Sequence, residues 1–245
     1  MSDAPAETFP AVRYQAASKR YGSVLALDGL TLDIARGSIF ALVGPNGAGK
    51  TTAIGLLTGL LEPTSGRAFV FGIDVGKDPM AAKSRLGFVP DRPYLWPRWT
   101  PRETLRFLGA VFGGRGDALE ARLDQELSAF GLTGFADLRN ETLSHGTRQK
   151  VALAGAFLHD PDLFILDEPM VGLDPIAQRR LVERLRERAR AGAAVFLTTH
   201  QLSLAEELAD VTGLLVNGKL AALGPPRSLD QGALSEVFFK LAEGA

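Results

Sequence analysis

The sequence predicts an α/β fold with a central parallel sheet and a helical insertion, and three observations predict it. Ser38–Val43, Leu163–Leu166 and Ala194–Leu197 are short, nearly uninterrupted apolar runs, the pattern of strands buried on both faces. Helix-like segments lie between these runs, and strand–helix alternation implies parallel pairing through crossovers. From about residue 92 to residue 158 nothing strand-like intervenes, and the periodicity is helical.

The elements follow in order. Residues 1–10, polar and proline-containing, are expected to be a flexible N-terminus. Val12, Tyr14 and Ala16, then Leu30, Leu32 and Ile34, alternate with polar neighbours and read as half-exposed strands. The run ending at Val43 is the first central strand, and Thr52–Leu61 after it is helix-compatible. Thr100-Pro101-Arg102-Glu103 offers an N-cap, a proline at the first helical position and a capping-box glutamate. That helix should reach about Phe112 and stop at Gly113-Gly114. Asp117-x-x-Glu120 repeats the start signal, and Leu119, Leu123, Leu127 and Phe130 form one stripe closed by Gly131. Asp174-Pro175 opens a further helix that buries Leu181, Val182, Leu185 and Ala189 and ends at Gly192. Asn217-Gly218, between the apolar runs of Val211–Leu223, signals a hairpin.

At ~150 residues per domain, 245 residues make one or two domains. The reading is one domain over residues 11–224, with the helical subdomain of about 92–158 inserted and a short tail, residues 225–245. Cysteine is absent, which excludes disulfides, thiolate metal sites and cysteine nucleophiles, and three histidines make a poly-histidine metal site a poor fit. A net charge of −1 argues against a surface that coats nucleic acid, so no nucleic-acid partner is expected. The six arginines of Gln178–Arg190 read as a solvated helix face. No apolar run approaches the ~20 residues that cross a bilayer. MSDAPAETFP has neither the basic region nor the apolar stretch of a secretory signal, so a cytoplasmic chain is expected.

The chemistry begins at Gly44-Pro45-Asn46-Gly47-Ala48-Gly49-Lys50-Thr51, which fits G-x-x-x-x-G-K-[ST] at every fixed position. It follows a buried strand and precedes a helix, so backbone N–H groups and the positive helix end point at a phosphate chain. Gly47 and Gly49 admit close backbone approach, Lys50 reaches the β and γ oxygens, and the Thr51 hydroxyl can ligate Mg²⁺. Leu163–Leu166 leads into Asp167-Glu168, where the chain turns at Pro169. Asp167 can hold Mg²⁺ through water while Glu168 polarises an attacking water; an acidic turn at a strand end is the plainer alternative. His200 closes the third apolar run and can donate to a γ-phosphate, or serve as a satisfied structural histidine.

Leu143-Ser144-His145-Gly146-Thr147-Arg148-Gln149-Lys150, ahead of LFILDEP and then Gly172-Leu173-Asp174, resembles the ATP-binding-cassette (ABC) ATPases, with motifs in family order from about Ala11 to Gly224. The resemblance implies an α/β P-loop NTPase (RecA-like) core with an N-terminal antiparallel β subdomain and an inserted α-helical subdomain. It implies an ATPase using ATP and Mg²⁺, bound at Tyr21, Gly44 to Thr52, Ser144 to Thr147 and Asp174. Here Gly44, Pro45, Asn46, Gly47, Ala48, Gly49, Lys50, Thr51 and Thr52 grip the phosphates, with Lys50, Glu168 and His200 catalytic. Tyr21 would stack on adenine, or be only a hairpin aromatic beside Gly22. Ser144, His145, Gly146 and Thr147 would cap the γ-phosphate held by a second copy or a homologous ATPase subunit, and Asp174 would cross that interface, cap its helix, or both.

His145 and Thr147 replace a glycine and a glutamine of the family's signature, and Asp91 stands where a glutamine is usual. A carboxylate there cannot donate but can ligate Mg²⁺. The Ser-His-Gly variant resembles bacterial exporter ATPases, which implies transmembrane permease subunits as partners and a place on the inner face of the membrane. Trp96 and Trp99, with Tyr94, would help receive a permease helix, or form an aromatic mini-core. A soluble ABC ATPase acting on ribosomes or DNA is the alternative; such proteins resemble paired cassettes or cassettes split by a coiled coil, whereas here Asp167 follows Lys50 by 117 positions.

Overall fold

A computed structural model describes residues 9–226 of the chain, so the expectations for residues 1–8 and for the tail from 227 lie outside the described residues. Phe9, expected to fray, is instead held: Arg36 Nε donates to its carbonyl at 3.1 Å. Strands β1 (Val12–Tyr21) and β2 (Val24–Ile34) form an antiparallel hairpin, and β3 (Ile39–Val43) leads into helix α1 (Lys50–Leu57). Strands β4 (Ser65–Val70) and β5 (Ile73–Asp74), helix α2 (Pro79–Lys83) and strand β6 (Leu86–Val89) come next. Helices α3 (Pro101–Val111), α4 (Gly116–Ala129) and α5 (His145–Leu158) fill the middle. Then follow β7 (Leu163–Asp167), α6 (Pro175–Arg190), β8 (Ala194–Thr199), α7 (Leu202–Leu208) and the hairpin β9 (Val211–Val216) and β10 (Lys219–Gly224).

Two sheets result. The antiparallel one has the order β2-β1-β4-β5, and the other β10-β9-β3-β8-β7-β6, parallel except for its β10–β9 edge pair. Period-two alternation divides the central strands between two cores. Ile39, Ala41, Val43, Phe164 and Leu166 face the helical layer, whereas Phe40, Leu42, Leu163 and Ile165 face α1 and the antiparallel sheet. A strand with both faces covered has no polar side to show, which is why its sequence reads as an unbroken apolar run.

Several boundaries depart from the sequence reading. Ala16 is exposed at φ 45°, and the register slips between Tyr14 and Ala17, so Ala17 takes the inward place. The slip is a bulge, which alternation alone does not reveal. The helix expected over Thr52–Leu61 ends at Leu57, where Gly59 turns at φ 60°. Helix α4 begins before Asp117, with Arg115 at its N-cap and no side-chain cap bond; Asp117 instead sets its charge in the first turn, beside the positive helix end. Thr100 and Glu103 do form the reciprocal capping box on α3. Strands β4, β5 and β6 and helices α2 and α7 carry patterns too short or too mixed to read in sequence.

The arginine face of α6 is only partly solvated. Arg184 makes a two-pronged pair with Glu126 of α4 at 2.8 and 2.9 Å, with its guanidinium over the rings of Phe130 and Phe157. Arg188 pairs with Asp160, and Arg186 donates to the Glu207 carbonyl. Half of those arginines therefore dock α6 against its neighbours.

Candidate functional site

The order β3-β8-β7 decides the site. The phosphate loop leaves the end of β3, the carboxylates leave the end of β7, and β8 lies between them with Val43 beside Thr199 and Asp167 beside Thr198. Strand ends on one edge of a parallel sheet share a crevice. The result is a cleft of about 500 Å³ lined by Pro45 to Thr52, Asp91, Asp167, Glu168 and His200, with Ala26 and Val171. Gly44 sits behind the lining, where an added Cβ would come within 2.3 Å of the Leu215 carbonyl.

Lys50 is buried and donates to the carbonyls of Gly44 at 2.6 Å and Pro45 at 3.2 Å. Its Nζ also lies 3.9 Å from Glu168 Oε1. Burial pushes its pKa below the ordinary lysine value, against the opposing pull of the Glu168 and Asp167 carboxylates. Thr51 Oγ1 donates to Asp167 Oδ2 at 3.1 Å, and Thr198 Oγ1 donates to the other carboxylate oxygen. Both oxygens of a buried carboxylate are thereby engaged. Glu168 stands at φ 48°, a left-handed conformation that costs a non-glycine residue about 1–3 kcal/mol and concentrates at functional sites. Its N–H donates to Thr198 Oγ1 and to the Thr198 carbonyl, each at 3.2 Å, and its carboxylate accepts from His200 Nδ1 at 3.0 Å. A carboxylate only accepts, so Nδ1 carries the proton; Nε2 can donate to a phosphate only if the ring holds a second proton or turns away from Glu168.

The donor set suits phosphate and Mg²⁺. Gly47 stands at φ 80° with open space where a Cβ would be, leaving its backbone accessible to an anion. Thr51 and Asp167 offer hard oxygen ligands side by side. Among the described residues no group of three or more His, Asp or Glu could hold a metal ion.

Tyr21, Ser144, His145, Gly146, Thr147 and Asp174 do not line this cleft. Tyr21 is 45% exposed at the β1–β2 turn, with Lys19 Nζ 5.4 Å from its ring centre. Ser144 caps α5, its Oγ accepting from Thr147 N at 3.2 Å, and both residues are accessible. Asp174 caps α6 by accepting from Ala177 N at 2.9 Å, and its other oxygen takes Lys150 Nζ at 2.7 Å. The hydrogen bond from Lys150, then that from Ala177, holds its carboxyl below the usual aspartate range. The cap expected from Asp174-Pro175 is therefore present.

A second, apolar groove of about 490 Å³ lies between β6, α3 and α5, walled by Leu86, Phe88, Tyr94, Trp96, Leu108, Phe112 and His159. The two tryptophans sit differently. Trp96, 39% exposed, lines the groove, while half-buried Trp99 lies tilted behind it, ring centres 4.5 Å apart, and meets Phe107 edge-on. Buried Asn140 pins the segment, its Nδ2 donating to the Trp96 carbonyl at 3.0 Å and its N–H to the Trp99 carbonyl at 2.8 Å.

Sequence reasoning missed Ala26, Val171 and Thr198 as site residues. Thr198 left a signal, a hydroxyl two positions before His200 at the end of an apolar run; Ala26 left none, since β2 reaches the cleft only through the packing of the two sheets.

A family model described as ABC transporter matches residues 27–171. The chain is 38% identical over 212 residues to the probable multidrug ABC transporter ATP-binding protein YbhF of Escherichia coli (strain K12), covering 86% of this chain and 36% of that protein. It therefore spans little more than a third of that relative. It is 34% identical to the linearmycin resistance ATP-binding protein LnrL of Bacillus subtilis (strain 168), covering 86% of this chain and 68% of that protein. A solved structure of an ATP-binding subunit of an ABC transporter matches with a TM-score of 0.87 at 33% identity, over 95% of this chain and 99% of that one.

Proposed function

The chain belongs to the ABC transporter family, and on that premise we propose that it is the ATP-binding and ATP-hydrolysing subunit of a membrane exporter. Two copies, or one copy and a homologous ATPase subunit, close over two Mg·ATP and drive separate permease subunits. One observation carries the reading: Lys50, Thr51, Asp167, Glu168 and His200, from three strand ends, line or border a single cleft.

In this reading, the backbone amides of Gly47 to Lys50 and the α1 N-terminus hold the phosphates. Lys50 exchanges its bonds with the loop carbonyls for bonds to phosphate oxygens. Glu168 takes a proton from the attacking water, and His200 orients that carboxylate. Bound Mg²⁺ would neutralise charge on the phosphate oxygens, held by Thr51, Asp167 and Asp91. Ser144, Thr147 and Asp174 lie off their own chain's cleft, which supports a role across a pair of chains. Tyr21 is the adenine platform of this assembly.

No helix among the described residues is long and apolar enough to cross a membrane. Membrane passage is assigned to the permease, whose cytoplasmic helix the apolar groove receives, with this chain peripheral on the inner face. The export direction is supported by the relatives' names, multidrug transport and linearmycin resistance.

Glu168→Gln tests the reading. With Mg·ATP this variant is expected to run at twice the monomer mass on a sizing column, and the wild type as a monomer once ATP is spent. A variant that stays monomeric while binding ATP would sink the paired-chain mechanism.

A further inference from the structure

The loop from Glu168 to Asp174 carries the candidate base at one end and the α6 cap at the other, and one face of α5 lies along it. Gly146, Gln149 and Lys150 stand at i, i+3 and i+4, a single helical stripe. An added Cβ on Gly146 would come within 2.1 Å of the Gly172 carbonyl, so only glycine permits this backbone approach. Gln149 is fully buried, its Nε2 donating to the Pro169 carbonyl at 3.4 Å. Its Oε1 has no hydrogen-bond partner. A buried amide satisfied on one side only costs free energy, so its place here calls for an explanation. Lys150 closes the set through Asp174. On the loop's other side, Gln178 Nε2 donates to the carbonyls of Met170 and Leu173, at 3.3 and 3.1 Å.

We infer that Gln149 and Lys150 are positioning residues for hydrolysis, pinning the loop at Pro169 and Asp174 so that Glu168 keeps its place beside His200 and Lys50. The inference rests on Glu168 being the base. A loop fixed at positions 169, 172 and 174 leaves its first residue, already held at φ 48°, little freedom to swing. A displacement of about 1 Å in a reacting group can cost on the order of 10²-fold in rate.

Phosphate release by the full chain with Mg·ATP tests it. Lys150→Met is expected to lower kcat about 10- to 100-fold. The KM for ATP should stay within about twofold and Tm within about 2 °C, because exposed ion pairs add little stability. Lys150→Arg should restore most of the rate. Gln149→Leu, which keeps the volume but strands the Pro169 carbonyl, should also lose kcat more than KM. Wild-type turnover in Lys150→Met overturns the inference, as does a loss of kcat that merely tracks a loss of Tm or that arginine fails to rescue. Glu168→Gln is the control: a wild type no faster than that variant would remove the underlying reading as well, and so separates the two failures.

Discussion

Two clefts among the described residues are nearly equal in size and opposite in chemistry. The first, of about 500 Å³, lies at the strand ends and is built from backbone amides, one lysine, carboxylates and a histidine. The second, of about 490 Å³, lies at the seam between sheet and helical layer and is walled by Phe88, Tyr94, Trp96 and Phe112. Polar side chains in the first are held by bonds that fix direction, as Asp167 is held by Thr51 and Thr198. The second is held open by ring packing, with Phe112 stacked on His159 at 3.6 Å. One presents charge at defined points and the other an apolar shape. A single stretch joins them: Phe88 and Pro90 line the groove, Asp91 lines the cleft, and Tyr94 and Trp96 line the groove again. Pro90 of the groove and Asp91 of the cleft are neighbours in the chain, so the two clefts meet along one stretch of backbone.

That contrast makes the effects of mutations separable. Glu168→Gln should lower phosphate release by ~10²–10⁴, the usual value of a general base, while leaving copurification with membrane partners intact. Loss of both together would mean that the clefts are not independent. Trp96→Ala should do the reverse: partner copurification fails, ATP turnover of the isolated chain persists, and Tm falls by only a few degrees. If only Tm dropped and partners remained bound, the groove would be an aromatic mini-core and nothing more.

Lys50→Met should abolish turnover without lowering Tm at pH 7. The buried ammonium has its pKa depressed in the fold, so its charge counts against folding wherever it is protonated. From the depressed value up to the ordinary 10.5 the unfolded chain binds more protons, so the wild type gains stability with rising pH and its deficit against the variant narrows. Thermal melts from pH 7 to 10.5 check the sign. The smallest effect belongs to His159, whose pKa burial lowers from 6.5, against the pull of the Leu86 and Gly155 carbonyls. Stability from its neutral ring is present above pH 6.5 and lost as pH falls towards the lower folded value. His159→Gln should flatten the slope of Tm against pH below 6.5.

Legibility differed between elements for physical reasons. The runs of β3, β7 and β8 were readable because burial on both faces leaves a strand only apolar residues. Helices α3 and α6 were readable because Thr100 and Asp174 carry their capping chemistry in adjacent residues. Strand β6 was not: Gly87-Phe88-Val89 gives little pattern of its own, and it is a strand because β7 pairs with it. The bulge at Ala16 left no local mark either. In the site, the phosphate loop and the Asp167-Glu168 pair were plain, since contiguous residues carry the chemistry. Thr198, Ala26 and the Lys150–Asp174 pair were not, since their partners lie far along the chain.

By itself the sequence determined the composition of the phosphate loop, the carboxylate pair, the helix caps and the apolar runs, all set by bonds and burial within a few neighbouring residues. Only the tertiary structure decided which strand lies between the loop and the carboxylates, where the groove opens, and which face of α5 grips the Glu168–Asp174 loop. Those relations join residues tens to more than a hundred positions apart, and their energy comes from packing that exists only once the sheets and the helical layer have come together.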